Sequence, residues 1–316
     1  MASSQGMRRA AVTGASGFIG RALLARLNAA GWHVSAISRN AGPQPAGVRR
    51  VVLADYGDAN RLDAALHGAD AVVHLAARAH CAGTDADFEA SVKAAVVVAR
   101  AARAVGAGRF VLVSSIGVNG NVTGERAFSE SDPPAPREPY ARSKLRAEQE
   151  VASALAGSAT ALTILRPPLV YGANAPGNFG KLVQAVARGR WLPLAGVHNG
   201  RSLIGLDNLL DLVLLCLDHP AAANQLFLVA DGDDLSTPEI VRLIAQGLDR
   251  PPRLAWLPPG LLRIAATLAG RPRLAESLCD SLRIDASKAR RVLGWVPSLP
   301  AAEGVRRAAR ETSRNG

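Results

Sequence analysis

Three cysteines stand in 316 residues, at Cys81, Cys216 and Cys279. They are scattered and odd in number, which excludes a disulfide framework and fits a reducing, cytoplasmic setting. His33, His67, His80, His198 and His219 show no ligand spacing, so no metal is expected. Aromatic residues make up only 4% of the chain. The net charge of +11 comes from arginines spread along the sequence, and no nucleic-acid-binding motif is visible, so nucleic acid is not an expected partner. The charge reads either as a solvated surface or as an attraction for an anionic substrate. No uncharged apolar run reaches membrane-spanning length. The most apolar stretch of the second half, Trp256 to Ala269, is broken by Pro258, Pro259, Gly260 and Arg263, and a buried or groove-forming helix is expected there rather than a membrane contact. Met1 to Met7 is short and polar, lacks a secretory apolar region, and reads as a disordered extension.

What is present is a core-forming composition, 48% hydrophobic, arranged in alternating strand and helix patterns. Strands are expected at Ala10–Thr13, Val34–Ser38, Val51–Leu53, Ala71–Leu75, Phe110–Ser114 and Leu162–Leu165, with a returning strand at Leu226–Val229. Helices are expected at Ile19–Ala30, Asn60–Leu66, Phe88–Val105, Tyr140–Leu155, Lys181–Arg188 and Asp207–Leu217. The strands are near-continuous apolar runs, as parallel strands covered on both faces must be. The fold class is therefore α/β, a doubly wound parallel sheet. After Arg166 the rhythm breaks into a region rich in Pro and Gly. A smaller lobe is expected from about 167–206 and 231–310, interleaved with a nucleotide-binding domain of 7–166 and about 207–230.

The first strand runs into Gly14-Ala15-Ser16-Gly17-Phe18-Ile19-Gly20 and then a helix. Glycines at 14, 17 and 20 let the backbone turn sharply and let a pyrophosphate approach the helix N-terminus, where free N–H groups and the dipole favour an anion. The spacing is G-x-x-G-x-x-G rather than the usual G-x-G-x-x-G.

Tyr140 and Lys144 are four apart, so on a helix they share a face. A phenol is a poor acid–base group at neutral pH, and an ammonium beside it would lower its pKa. A surface Tyr–Lys pair is the plainer alternative. Ser114 and Ser115 end the apolar strand Phe110–Val113, where a hydroxyl can hold a substrate oxygen.

With Ser115, Tyr140-Ala141-Arg142-Ser143-Lys144 and the glycine turn in one chain, the sequence resembles the extended short-chain dehydrogenase/reductases, the branch of nucleotide-sugar epimerases, dehydratases and 4-ketoreductases. His74-Leu75-Ala76-Ala77, Leu165-Arg166-Pro167-Pro168-Leu169-Val170-Tyr171-Gly172 and Leu293-Gly294-Trp295 extend the resemblance over residues 7–305. It implies a Rossmann-type fold, and it implies Tyr140 as acid–base, Ser115 as holder of the reacting oxygen, and Lys144 as ribose ligand and tuner of Tyr140. It further implies cofactor contacts from Gly14, Ser16, Gly17, Phe18, Ile19, Gly20, Ser38, Arg39, Asp55, Leu75, Ala76, Ala77 and Pro167. For a nucleotide-diphosphate sugar it implies Ser115, Asn119, Asn178 and Arg201. It implies a homodimer through the helices Phe88–Val105 and Tyr140–Leu155.

Two departures bear on the chemistry. Ser38-Arg39 stands where an NAD-preferring member carries an acidic residue, and an arginine there can take a 2′-phosphate, so NADP(H) is favoured over NAD(H). The plainer alternative is that Arg39 stacks on adenine or faces solvent. The family's Asn-x-x-Gly-Thr reads Ser91-Val92-Lys93-Ala94-Ala95, which weakens the transfer of fine cofactor contacts. The function expected from the sequence is reduction of a nucleotide-activated 4-keto-6-deoxy sugar at C4, with a proton from Tyr140, in the surface-polysaccharide (lipopolysaccharide O-antigen) sugar supply. The alternative is an NAD-dependent nucleotide-sugar 4-epimerase, and the different-class alternative is a non-catalytic dinucleotide-binding protein. His74 reads as a strand-end residue near the cofactor rather than a base.

Overall fold

The structure, a computed structural model, describes residues 8–42, 45–76 and 84–314. Ala77, His80, Cys81 and the extension through Met7 lie outside the described residues. The first half alternates β1 (Arg9–Thr13), α1 (Phe18–Ala29), β2 (His33–Ser38), β3 (Arg49–Val52), α2 (Ala59–Leu66), β4 (Ala71–His74), α3 (Asp85–Ala104), β5 (Arg109–Val113), α4 (Pro139–Leu155) and β6 (Ala161–Arg166). Then come β7 (Leu169–Tyr171), α5 (Asn178–Ala187), β8 (Leu203–Gly205), α6 (Leu206–Asp218) and β9 (Gln225–Leu228). Five helices close the chain: α7 (Thr237–Gly247), α8 (Pro259–Leu268), α9 (Pro272–Cys279), α10 (Ser287–Leu293) and α11 (Ala301–Arg314).

Seven strands form one parallel sheet in the order β3-β2-β1-β4-β5-β6-β9. This is the expected doubly wound, Rossmann-type sheet. The strand order reverses between β1 and β4, whose C-terminal residues Thr13 and His74 stand in register, and ligands of such sheets bind at that crevice. Apolar side chains cover both faces. α1 and α6 pack on one with Val12, Leu24, Val213 and Phe227, and α2, α3 and α4 pack on the other with Ile37, Val98, Phe110 and Val151.

Three local departures from the expected elements have clear causes. β3 starts at Arg49, because on this edge strand the exposed arginines 49 and 50 interrupt the apolar run that marks a strand. α3 starts at Asp85 because Thr84 and Asp87 form a reciprocal capping box. The region read as loop after Arg166 contains β7, which pairs in parallel with β8, three residues each being too short to show a period.

A third apolar cluster joins Tyr171, Phe179, Val183, Ile244 and Val305, drawn from β7, α5, α7 and α11. Ala289, Leu293 and Trp295, by contrast, return to the α1–α6 side of the sheet. The stretch from Trp256 does not bury as expected. α8 contains no buried residue, and only Leu262 leans on the third cluster.

Candidate active site

The glycine turn leaves no room for side chains. Gly14 has φ +71°, and a Cβ there would stand 2.7 Å from the Ala76 nitrogen, in the loop after β4. A Cβ on Gly20 would stand 2.3 Å from the Gly14 oxygen. Gly17 precedes α1, no side chain caps that end, and no acidic residue occupies its first turn. The result is a tight cradle ending in unpaired N–H groups, which suits the pyrophosphate of a dinucleotide. Ser16 is exposed, Ile19 packs on the sheet cluster, and Phe18 leans on the third cluster.

Around this cradle, Ser38 is buried and its hydroxyl donates to the Asn40 carbonyl, 2.7 Å away. Arg39 is exposed, and its charge acts on Tyr56, whose hydroxyl reaches Thr13 and the Gly14 backbone. Burial holds the Tyr56 phenol above its ordinary pKa. Asp55 is exposed and accepts from the Gly57 backbone N–H at 3.1 Å, closing its own turn. Leu75 donates its N–H to the Thr13 carbonyl at 3.1 Å. Ala76 lines an interior cavity with His74, Leu112, Tyr140 and Lys144. Pro167 is buried and accepts the Ile116 N–H at 2.9 Å.

Ser115, Tyr140 and Lys144 come together at the carboxyl end of β5. Ser115 follows the strand, and its Oγ accepts from the Gly117 N–H at 3.2 Å, capping a short turn over Ile116–Val118. Gly117 lies against both Ser115 and α4, since a Cβ there would be 3.4 Å from Ser115 Oγ and from Ala141 Cβ. Pro139 takes the first position of α4, where its missing N–H costs nothing, and Tyr140 follows. One turn on, Lys144 is buried and its Nζ donates to the Val113 carbonyl at 3.0 Å. That Nζ stands 5.9 Å from the centre of the Tyr140 ring, and Phe88 flanks the ring on another side.

Burial lowers the Lys144 ammonium to about 8, against the Glu148 carboxylate, which pulls it up. Lys144 therefore keeps its positive charge at neutral pH, beside a phenol that such a charge activates. His74 ends β4 with Nδ1 2.9 Å from the Thr13 hydroxyl, and burial with the nearby Lys144 charge lowers it to about 3. It is neutral, as a residue supporting the crevice should be. Ser114 Oγ and His74 Nε2 are buried without partners, polar atoms left over at the same strand ends.

The positions expected to meet a sugar nucleotide lie on separate segments, after β5, at the start of α5 and before β8. Asn119 is buried, and its Oδ1 accepts from Arg166 at 2.8 Å. Asn178 opens α5 in an exposed position. Arg201 is half-buried and donates to the Asp280 carbonyl at 3.2 Å. Two buried polar knots lie outside the sequence reading. Arg166 grips Glu148 through two hydrogen bonds, of 3.0 and 2.5 Å, which lock α4 to β6 behind the Tyr140–Lys144 turn. Asp231 accepts from Tyr171, Asn208 and the Gly205 N–H. No motif marks such pairs, because their partners are separated in sequence.

Residues 10–230 match the family described as the NAD dependent epimerase/dehydratase family. The UDP-glucose 4-epimerase of Vibrio cholerae is 35% identical over 313 residues, covering 94% of this chain and 93% of that protein. The ceramide reductase of Caulobacter vibrioides is 32% identical, over 93% of this chain and 88% of its own. Among solved structures, MoeE5 in complex with UDP-glucuronic acid and NAD superposes with a TM-score of 0.79 at 25% identity, covering 98% of this chain and all of that one. Among the described residues no helix is long and apolar enough to cross a membrane.

Proposed function

This chain belongs to the NAD dependent epimerase/dehydratase family, and we propose that it is a nucleotide-sugar 4-epimerase using NAD. The observation that carries the choice is its 35% identity, over nearly the whole of both chains, with a UDP-glucose 4-epimerase. The meeting of Ser115, Tyr140 and Lys144 at the end of β5 supplies the chemistry.

In this reading the glycine cradle and the open end of α1 hold the pyrophosphate of NAD, and Lys144 and Ala76 border its nicotinamide half. When bound, the cofactor supplies reversible hydride exchange at C4, so an epimerisation closes with no net oxidation. Tyr140 takes the proton of the sugar 4-hydroxyl and returns it to the same oxygen. Ser115 Oγ donates a hydrogen bond to that oxygen. Lys144 supplies the positive charge that keeps Tyr140 a competent base.

Arg39 supports a second reading, a 4-ketoreductase of a nucleotide 4-keto-6-deoxy sugar that uses NADP(H). Its exposed guanidinium follows β2 and its charge reaches Tyr56 beside the glycine cradle, and an arginine at that strand end can accept a 2′-phosphate. Either activity fits a cytoplasmic supply of sugars for surface polysaccharide. The same reading includes a homodimer through the outward faces of α3 and α4, where Val96, Arg100, Glu150 and Ala154 line a shallow depression.

The test is to denature purified protein and assay released cofactor, then to follow UDP-glucose by NMR with no reductant added. Released NAD and appearance of UDP-galactose are the expected results. Stoichiometric NADPH consumption with a nucleotide 4-keto-6-deoxy sugar, and no epimer, would transfer the assignment to the reductase.

A further inference from the structure

From Arg250 to Ala275 the chain has five arginines and no acidic residue. It is also the most exposed apolar part of the described molecule. On α8, Leu261, Ile264 and Leu268 fall three and four residues apart on one face, and Leu268 is 85% exposed. Trp256, just before the helix, is 72% exposed. Trp191 is 67% exposed and belongs to the neighbouring segment, because Leu192 bridges Leu254 and exchanges backbone hydrogen bonds with Arg253 and Ala255. Two indoles and a helical apolar stripe therefore share one margin of the molecule. Arg253, Arg263, Arg271 and Arg273 ring it, all exposed.

We propose that this margin is a docking face for an anionic lipid bilayer. The chemistry fits a bilayer better than a protein partner. An in-plane amphipathic helix buries Leu and Ile to the headgroup depth, tryptophans take the polar–apolar boundary, and arginines without acidic neighbours meet lipid phosphates. Opposing acids are few: Asp280 pairs with Arg263, and Glu138 approaches Arg273 at 3.7 Å. Arg271 has no acidic partner within ion-pair distance among the described residues. The Glu138 contact has a geometric consequence, since Glu138 stands two residues before Tyr140 at the start of α4. A hairpin of α8 and α9 lying on a bilayer would hold the mouth of the site beside the membrane surface. This inference is independent of which sugar the site takes.

The experiment is co-sedimentation of the intact protein with vesicles of phosphatidylcholine alone and of phosphatidylcholine with phosphatidylglycerol, read alongside tryptophan emission. Trp32 and Trp295 are buried, so a shift in emission reports on Trp191 and Trp256. The expected results are pelleting and a blue shift with the anionic vesicles only, weakened by salt. Ile264→Ser with Leu268→Ser should weaken partitioning at least about tenfold. Arg271→Glu should weaken it by about fivefold or more. Melting temperatures of the variants check that they fold. The proposal is overturned if the folded wild-type protein fails to pellet with anionic vesicles, or if the double variant pellets as well as the wild type. It is also overturned if the double variant instead breaks a solution dimer with no vesicle binding in the parent, since a second copy would then cover the face.

Discussion

Helix α4 buries Ala141, Lys144, Ala147, Glu148, Val151 and Leu155, whereas α8 buries nothing. α4 is fixed by apolar packing on α3 and by two buried polar anchors, Lys144 on the Val113 carbonyl and Glu148 on Arg166. α8 presents its larger apolar side chains to solvent. The difference separates two demands on an enzyme surface. A proton-transferring residue must be held within fractions of an ångström by rigid surroundings, and a surface that meets a partner must keep its apolar groups available.

The comparison can be broken first at Tyr140. Tyr140→Phe should lower turnover by about 10²- to 10⁴-fold. Its melting temperature and cofactor content should stay close to wild type, which pairs a turnover assay with calorimetry. Glu148→Ala comes next. It strands the Arg166 guanidinium in a site 5% exposed, and breaking a buried pair from one side costs about 3–5 kcal/mol. Urea denaturation should show that loss, and turnover should fall with it as α4 loosens. An equal loss in a Glu148→Gln protein would mean that charge rather than shape holds the helix.

The third prediction concerns pH. His74 is lowered to about 3 in the fold, against 6.5 for the free side chain. As pH falls through 6.5 the unfolded chain takes up a proton that the folded chain refuses, so stability is lost over the window from about 6.5 down to about 3. Between pH 7 and pH 5 this one group should remove about 2 kcal/mol. His74→Asn should flatten that part of the stability curve, as seen by urea melts at several pH values. The smallest effect belongs to α8. Ile264→Ser with Leu268→Ser should change stability by no more than about 0.5 kcal/mol, because those side chains are 57% and 85% exposed. A large loss there would show that α8 is a structural helix after all.

Much of the sheet and the meeting of Ser115, Tyr140 and Lys144 near the end of β5 could be read from the sequence, for physical reasons. Parallel strands buried on both faces must be continuously apolar, a glycine that meets the Ala76 backbone at 2.7 Å cannot be anything else, and a Tyr–Lys pair one turn apart on a helix announces a shared face. β7 was not legible, because three residues carry no period. The knots of Arg166 with Glu148 and of Asp231 with Tyr171 were not legible either, because neither end has a local signature. The stretch from Trp256 misled because apolar composition alone cannot tell a buried helix from one that faces outward.

The three apolar clusters differ in when they can close. The one holding α2, α3 and α4 is built entirely from residues between Ala11 and Leu162, so it is complete when about half the chain has left the ribosome. The cluster on the opposite face waits for Ala289, Leu293 and Trp295, and the third waits for Val305, Ala308 and Ala309. A nascent chain therefore carries one finished face while the other, already covered by α1 and α6, lacks its closing residues until α10 emerges. A nonsense codon between α7 and Ala289 would remove those closing residues, turning a small deletion at the tail into an aggregation-prone product.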